Sequence, residues 1–222
     1  MIPDDKNQKG TTKMSLIEKE MKIKITLIEE ILGTAPSDPE LYKSYVAGNA
    51  PDAPTMQEEI EAFGVDEVAE KPRTVFCTDK DGNKILYDYQ IKGFFKDACG
   101  ALRDNKKTES GKLTAYKKKI DGLIFVTPRQ IKFGGDVQFG DCQRPLRAQT
   151  AQGERVAIAV SDTIGAGATL EFSVLLMKGS MEKVVREWLD YGMFKGLGQW
   201  RNSGKGKFTY EVLEVIKHTD DE

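Results

Sequence analysis

"MKIKITLIEEIL", residues 21–32, sets Ile23, Ile25 and Leu27 against Lys22, Lys24 and Thr26. A period of two is that of a strand with one buried face, and Gly33 ends the run. Beyond it, Pro36, Pro39, Pro51 and Pro54 stand among many acids. That composition predicts an excursion over about 34–71, with one short helix near "TMQEEIEAF", before the core resumes.

"TVFCTDKDGNKILYDY" reads as a hairpin turning at Asp81-Gly82-Asn83, where glycine supplies the positive φ of a tight turn. In "YQIKGFFKDACGALRD" the apolar residues Ile91, Phe94, Phe95, Ala98, Ala101 and Leu102 recur at three and four, which predicts an amphipathic helix. "GLIFVTPRQIKF", "ERVAIAV" and "ATLEFSVLLM" are β-branched and aromatic strand candidates. "SMEKVVREWLDYG" predicts a second helix, with Ser180 as N-cap, Met181, Val184, Val185, Trp188 and Leu189 on one face, and Gly192 as its stop. "KFTYEVLEVIK" alternates again and closes the order as strand, helix, strand, strand, helix, strand. That order is an α+β, ferredoxin-like (split βαβ) core with a long insertion after the first strand and extra β-hairpins. Residues 1–20 read as a loose tail before a single domain over 21–222.

The 222 residues carry 33 Lys plus Arg against 35 Asp plus Glu, a net charge of -2 that excludes a uniformly basic polyanion binder. The charge is nevertheless segregated. Lys43 is the one cation among the acids between Glu29 and Glu70, whereas cations outnumber acids from Lys92 to Arg147. Faces of one sign steer charged polymers. Cys77, Cys99 and Cys142 are far apart and the chain has one histidine, so no metal-ligand spacing exists and neither a metal nor another cofactor is expected. An odd cysteine count and the lack of an apolar h-region or membrane span point to a reducing cytoplasm.

Between the second helix and the last strand lies "GLGQWRNSGKGKF", residues 196–208. Gly196, Gly198, Gly204 and Gly206 can bring main-chain amides close to a phosphate, while Lys195, Arg201, Lys205 and Lys207 neutralise charge. The alternative is a flexible connector kept soluble by its lysines. Lys92 and Lys96, beside Gly93 and with Arg103 farther along, form either a second strip of the same track or an ordinary solvated helix face. The run Lys106, Lys107, Lys112, Lys117, Lys118 and Lys119 is expected to lie exposed and to attract polyanions without specificity. Trp200 and Tyr116 offer rings for stacking on unpaired bases, and Phe133 fits the core better.

Taken together, the first strand leading into "ILGT", the segment "IKGFFKDACGALR" with Gly93, Lys96, Leu102 and Arg103 in the spacing Gly-x-x-Lys-x-x-x-x-x-Leu-Arg, and the helix followed by "GLGQWRNSGKGKF" resemble the RAMP superfamily. These are the ferredoxin-like RNA-binding proteins of CRISPR effector complexes, and the likeness is to the backbone subunits that line up along guide RNA. It covers about Met21 to Lys217. Two features depart from the family pattern: Gln199 to Ser203 interrupt the glycine loop, and the insertion is unusually acidic. The resemblance implies a protein of antiviral defence that grips single-stranded RNA across its sheet, self-associates into a helical or curved assembly and contacts other effector subunits. Some such subunits cut target RNA with an aspartate in the loop after an early strand, for which Asp38 is the candidate here under a RAMP-type endoribonuclease reading, with His218 the one histidine available for acid–base chemistry. A phage or mobile-element interaction protein that kept the fold is a third reading.

Overall fold

The computed structural model describes residues 16–38, 73–150 and 153–218. The N-terminal tail up to residue 15, and most of the insertion with its expected helix, lie outside the described residues.

The first strand, β1 (Lys19–Leu27), starts two residues earlier than expected and buries Met21, Ile23, Ile25 and Leu27 in strict alternation. The expected single strand over residues 21–32 is two strands. The main-chain amides of Ile28 and Glu29 both turn to the carbonyl of Lys207, and the chain then enters β2 (Ile31–Leu32) in a different sheet. After β3 (Ala35–Pro36), described structure resumes at β4 (Arg73–Val75). The predicted hairpin follows as β5 (Cys77–Thr78) and β6 (Lys84–Tyr87). Its turn is tied by the Asp79 carboxylate, which accepts from the main chains of Asp81 and Asn83 and pairs with Lys132 at 2.7 Å. These contacts, the Lys132 ammonium first, hold the Asp79 carboxyl well below the usual carboxylate range.

The amphipathic helix is α1 (Asp88–Leu102), which buries Ile91, Phe94, Phe95, Ala98 and Cys99. Ala101, expected on that face, is exposed. In the basic segment after α1, Lys106, Lys107, Lys112, Lys117 and Lys118 are exposed as expected, while the main chain between them is tied to the core. Ser110 is fully buried, the Glu187 carboxylate accepts from the main chains of Glu109 and Ser110, and the Trp188 indole donates to Ser110 Oγ at 2.9 Å. A helix absent from the sequence reading, α2 (Tyr116–Leu123), follows and buries Ile120.

The expected strand "GLIFVTPRQIKF" is broken at a cis Thr127–Pro128 bond into β7 (Ile124–Thr127) and β8 (Gln130–Gly135). Next, β9 (Phe139–Thr150) and β10 (Gly153–Ile164) pair along their whole length, from Thr150↔Gly153 to Phe139↔Ile164. Then come β11 (Ala168–Leu176), α3 (Glu182–Tyr191) and β12 (Phe208–Lys217). Ser180 is not the cap of α3. A 3-10 turn over Gly179–Met181 precedes the helix, which buries Val184, Val185, Trp188 and Leu189. Gly192 ends α3 at φ -59, so steric room rather than a left-handed turn requires glycine: a Cβ there would stand 2.3 Å from the Phe208 ring.

The class is α+β. In the main sheet β1 lies between β11 and β12, antiparallel to both, and β7 and β8 pair with the far side of β11. One face of this sheet carries α1 and α3, and Phe95 packs on Trp188 with ring centroids 5.4 Å apart. A second sheet runs β2-β10-β4-β3 with β9 beside β10, its β4–β10 pair parallel. Among the described residues no helix is long and apolar enough to cross a membrane.

Candidate nucleic-acid interface

The loop between α3 and β12 folds back on the end of β1 and on β2. Leu197 donates its main-chain N–H to Gly206 at 2.9 Å, and Gly206 donates to Glu30 at 2.8 Å. The crossing is so close that a Cβ on Gly196 would stand 2.0 Å from the carbonyl carbon of Gly206, and one on Gly206 would stand 2.0 Å from the oxygen of Leu197. Both glycines are buried. The expectation that the loop's glycines clear the way for a phosphate is therefore corrected at Gly196 and Gly206, which make room for the main chain of the opposite arm of the loop. Gly198, at φ 77, is half-buried and also packs on β2, where a Cβ would stand 2.8 Å from the Leu32 carbonyl oxygen; Gly204, at φ 86, has room around it.

Gly198 faces α1 across an open cleft of about 310 Å³, lined by Thr34, Tyr89, Gln90, Gly93, Phe94, Leu197, Gly198 and Arg201. The fold thus brings together all three motifs singled out in the sequence: Thr34 of "ILGT", Gly93 of α1 and the glycine-rich loop. Gly93 is exposed, and a Cβ there would meet nothing within 4 Å. A second hollow of about 400 Å³ adjoins it, lined by Lys195, Gly198, Gln199, Trp200, Arg201 and Asn202.

Three of the loop's four cations, Lys195, Arg201 and Lys205, are engaged within the protein. Asp97, one helical turn beyond Gly93, accepts from Arg201 at 2.8 Å and lies 3.8 Å from the Lys195 ammonium. Lys205 donates to the Glu30 carboxylate, which, as the largest cause, raises the lysine's pKa above its ordinary value. Lys207 has no ion-pair partner among the described residues. Such half-exposed pairs are worth only ~0–1 kcal/mol, so a phosphate could exchange for either carboxylate at small net cost.

The other expected strip, Lys92, Lys96 and Arg103, faces elsewhere. Lys96 pairs with Asp121 at 2.6 Å. Lys92 donates to the Asp121 carbonyl at 3.1 Å and lies 4.7 Å over the Phe125 ring, its pKa lowered mainly by burial. Arg103 lies 5.2 Å over Tyr116. These side chains brace α1 against α2 and β7, about a quarter-turn from the Gly93–Asp97 edge, because adjacent helix positions differ by ~100°. Tyr116 is covered by Arg103, and Phe133 packs edge-on against Phe76 at 5.4 Å.

Trp200 is different. It is 41% exposed and sits in the left-handed region at φ 53, ψ 33, an uncommon conformation for a bulky residue that costs about 1–3 kcal/mol. Arg144, from β9, lies 5.2 Å over its ring and donates to Gln199 Oε1 at 3.0 Å, and the Gln199 amide in turn donates to the Gly33 carbonyl. Sequence reading missed Asp97, Arg144, Gln199 and Tyr89. Asp97 had a signal, since it is four residues from Gly93 on one helix edge. Arg144 had none, because only the fold brings β9 to this loop.

On the outer face of the main sheet, across which the sequence reading laid the RNA, Lys22 pairs with Glu214 at 2.8 Å and Lys24 with Glu171 at 3.3 Å. The two weak catalytic candidates stand apart. His218 is exposed and donates its main-chain N–H to Glu18, at the start of β1, while Asp38 lies past that strand's other end. Nine strand residues at ~3.3 Å each separate the two ends. Among the described residues no group of three or more His, Cys, Asp or Glu could hold a metal ion.

No protein-family model matches the sequence, and no curated protein matches it. Among solved structures, a chain in the cryo-EM structure of the Type III-B Cmr-beta bound to cognate target RNA aligns with a TM-score of 0.55 at 13% identity. At that identity the likeness is one of fold. The alignment covers 91% of this chain and 62% of the other, so the present chain spans less than two thirds of its neighbour's length.

Proposed function

We propose that this chain binds single-stranded RNA in the cleft between the start of α1 and the 195–207 loop, as a RAMP-type backbone subunit of a CRISPR effector complex. The observation that carries the reading is the convergence of Gly93, Gly198 and Arg201 on one open cleft, with Lys195, Trp200 and Asn202 continuing it. An unobstructed helix edge, a cationic loop and an exposed ring supply main-chain approach, charge and stacking, the three elements of sequence-tolerant single-strand binding. The strand order β12-β1-β11-β7, with α1 and α3 as the two crossovers, supports a ferredoxin-like split βαβ core. Fold likeness to a chain from an RNA-bound CRISPR assembly favours the same reading. The RNA is of guide type, the subunit associates with further copies along it in a helical or curved array, and other effector subunits cap that array in the cytoplasm.

Lys195, Arg201, Lys205 and Lys207 supply the phosphate contacts, with Asp97 and Glu30 giving way to the backbone. Lys92, Lys96 and Arg103 support α1 rather than touch RNA. Fluorescence anisotropy with single-stranded RNA over a salt series tests this. Four phosphate contacts give a slope of log K against log salt of about -3, and light scattering then shows mass rising stepwise with RNA length. Binding that ignores salt, or a mass fixed at one protomer on every RNA length, would refute the respective half of the proposal.

A further inference from the structure

We propose that Trp200 and Arg144 form a preset stacking platform that takes one unpaired nucleobase per protomer. This rests on the RNA-binding reading and deepens its stacking element, assigning Arg144 as the fixed support of the ring and one unpaired base to each protomer.

Trp188 and Trp200 show the contrast that motivates the assignment. Trp188 is fully buried and its indole N–H is satisfied by Ser110, an ordinary core role. Trp200 is held in a strained left-handed conformation yet keeps 41% of its surface exposed, so burial does not account for the strain. Strain of that kind persists where the surroundings over-determine a position, and it clusters at ligand sites.

The surroundings are identifiable. A chain of contacts runs from the Gly33 carbonyl to the Gln199 amide, from Gln199 Oε1 to the Arg144 guanidinium, and from Arg144 to the Trp200 ring. It ties together the segment after β2, the 195–207 loop and β9. A ring fixed in this way loses little freedom when a flat partner settles on it, which is how preorganisation raises affinity. The adjoining hollow of about 400 Å³ contributes Asn202, whose exposed amide carries both a donor and an acceptor for a base edge. Lys195 and Arg201 line the same hollow and suit the phosphate attached to that base. A flat aromatic ligand bearing hydrogen-bonding edges and a negative charge is a nucleotide.

The experiment titrates the full chain with an end-labelled oligoadenylate of about twelve residues, and with an end-labelled abasic ribose-phosphate polymer of equal length and charge, reading affinity from the anisotropy of the label and, for the wild type, tryptophan emission. Because Trp188 is buried, quenching by bases reports Trp200. The expected result is quenching by oligoadenylate only and about 5- to 100-fold tighter binding than to the abasic polymer. Trp200→Gly relieves the positive φ, so it keeps the fold and abolishes the base preference, whereas Trp200→Phe retains part of it. Equal binding of the two polymers, or a base preference surviving in Trp200→Gly, overturns the platform while leaving RNA binding intact. Binding of neither polymer overturns the RNA reading and the platform with it.

Discussion

Gly93 lines the proposed interface and Gly196 is buried behind it, and substituting each gives opposite results. At Gly93, inside α1, a new Cβ meets nothing within 4 Å. Replacing glycine by alanine in a helix interior stabilises by about 0.5–1 kcal/mol. For a domain of this size that raises Tm by about 1–4 °C. At Gly196 the same Cβ would lie 2.0 Å and 2.2 Å from the carbonyl carbon and oxygen of Gly206, main-chain atoms that cannot swing aside. Overpacking of that kind costs about 1–3 kcal/mol, or several degrees of Tm. Thermal unfolding of the two alanine variants therefore separates a glycine the fold does not need from one it does. Gly93→Leu carries the argument to function: it keeps helix propensity, adds a branched side chain to the cleft wall, and is expected to lower RNA affinity at least about tenfold at unchanged or higher Tm. If Gly93→Leu binds RNA like the wild type, the cleft is not the RNA site.

Three other outcomes follow from the same contacts. Asp97→Asn releases Arg201 and Lys195 from their shared carboxylate, so RNA binding measured at low salt strengthens by about 3- to 10-fold while stability falls by less than ~1 kcal/mol; unchanged affinity would remove those cations from the interface. Trp188→Ala empties a fully buried site and strips Ser110 of its indole donor, and denaturant titration is expected to show a loss of about 3–5 kcal/mol; a loss below ~1 kcal/mol would contradict the core described here. The Lys19 ammonium, foremost among the causes, holds the Glu182 carboxyl below its ordinary 4.5, so the pair's contribution is present above that pH and fades as pH falls through the lower folded value. Glu182→Gln should flatten the acid side of a Tm-against-pH curve; a curve identical to wild type would show that the pair carries no pH-dependent stability.

The order of the core was written in the periodicities of β1, α1, β11, α3 and β12, because each buries one face and its sequence repeats accordingly. The break between β1 and β2 was hidden, since "TLIEEIL" is apolar enough to continue a strand and the turn depends on Lys207, far along the chain. α2 was hidden by composition. "YKKKIDGL" buries Ile120 alone among its charged neighbours, which leaves no apolar stripe to detect. The glycine-rich loop was conspicuous, but what its glycines accommodate was not, because the closest partner of Gly196 is Gly206, in the turn before β12. Likewise, a count of lysines could not reveal that Asp97 and Glu30 hold the loop's cations, nor that Asp121 draws Lys92 and Lys96 away from the cleft.

Ultraviolet cross-linking of the full chain to single-stranded RNA, with the attached peptides mapped by mass spectrometry, bears most directly on where RNA lies. Attachment at Trp200 and Tyr89, in peptides that carry Gly93 or Arg201, is the predicted result. Attachment confined to the outer sheet face around Lys22, Lys24 and Phe125, with the 195–207 loop unmodified, would contradict it.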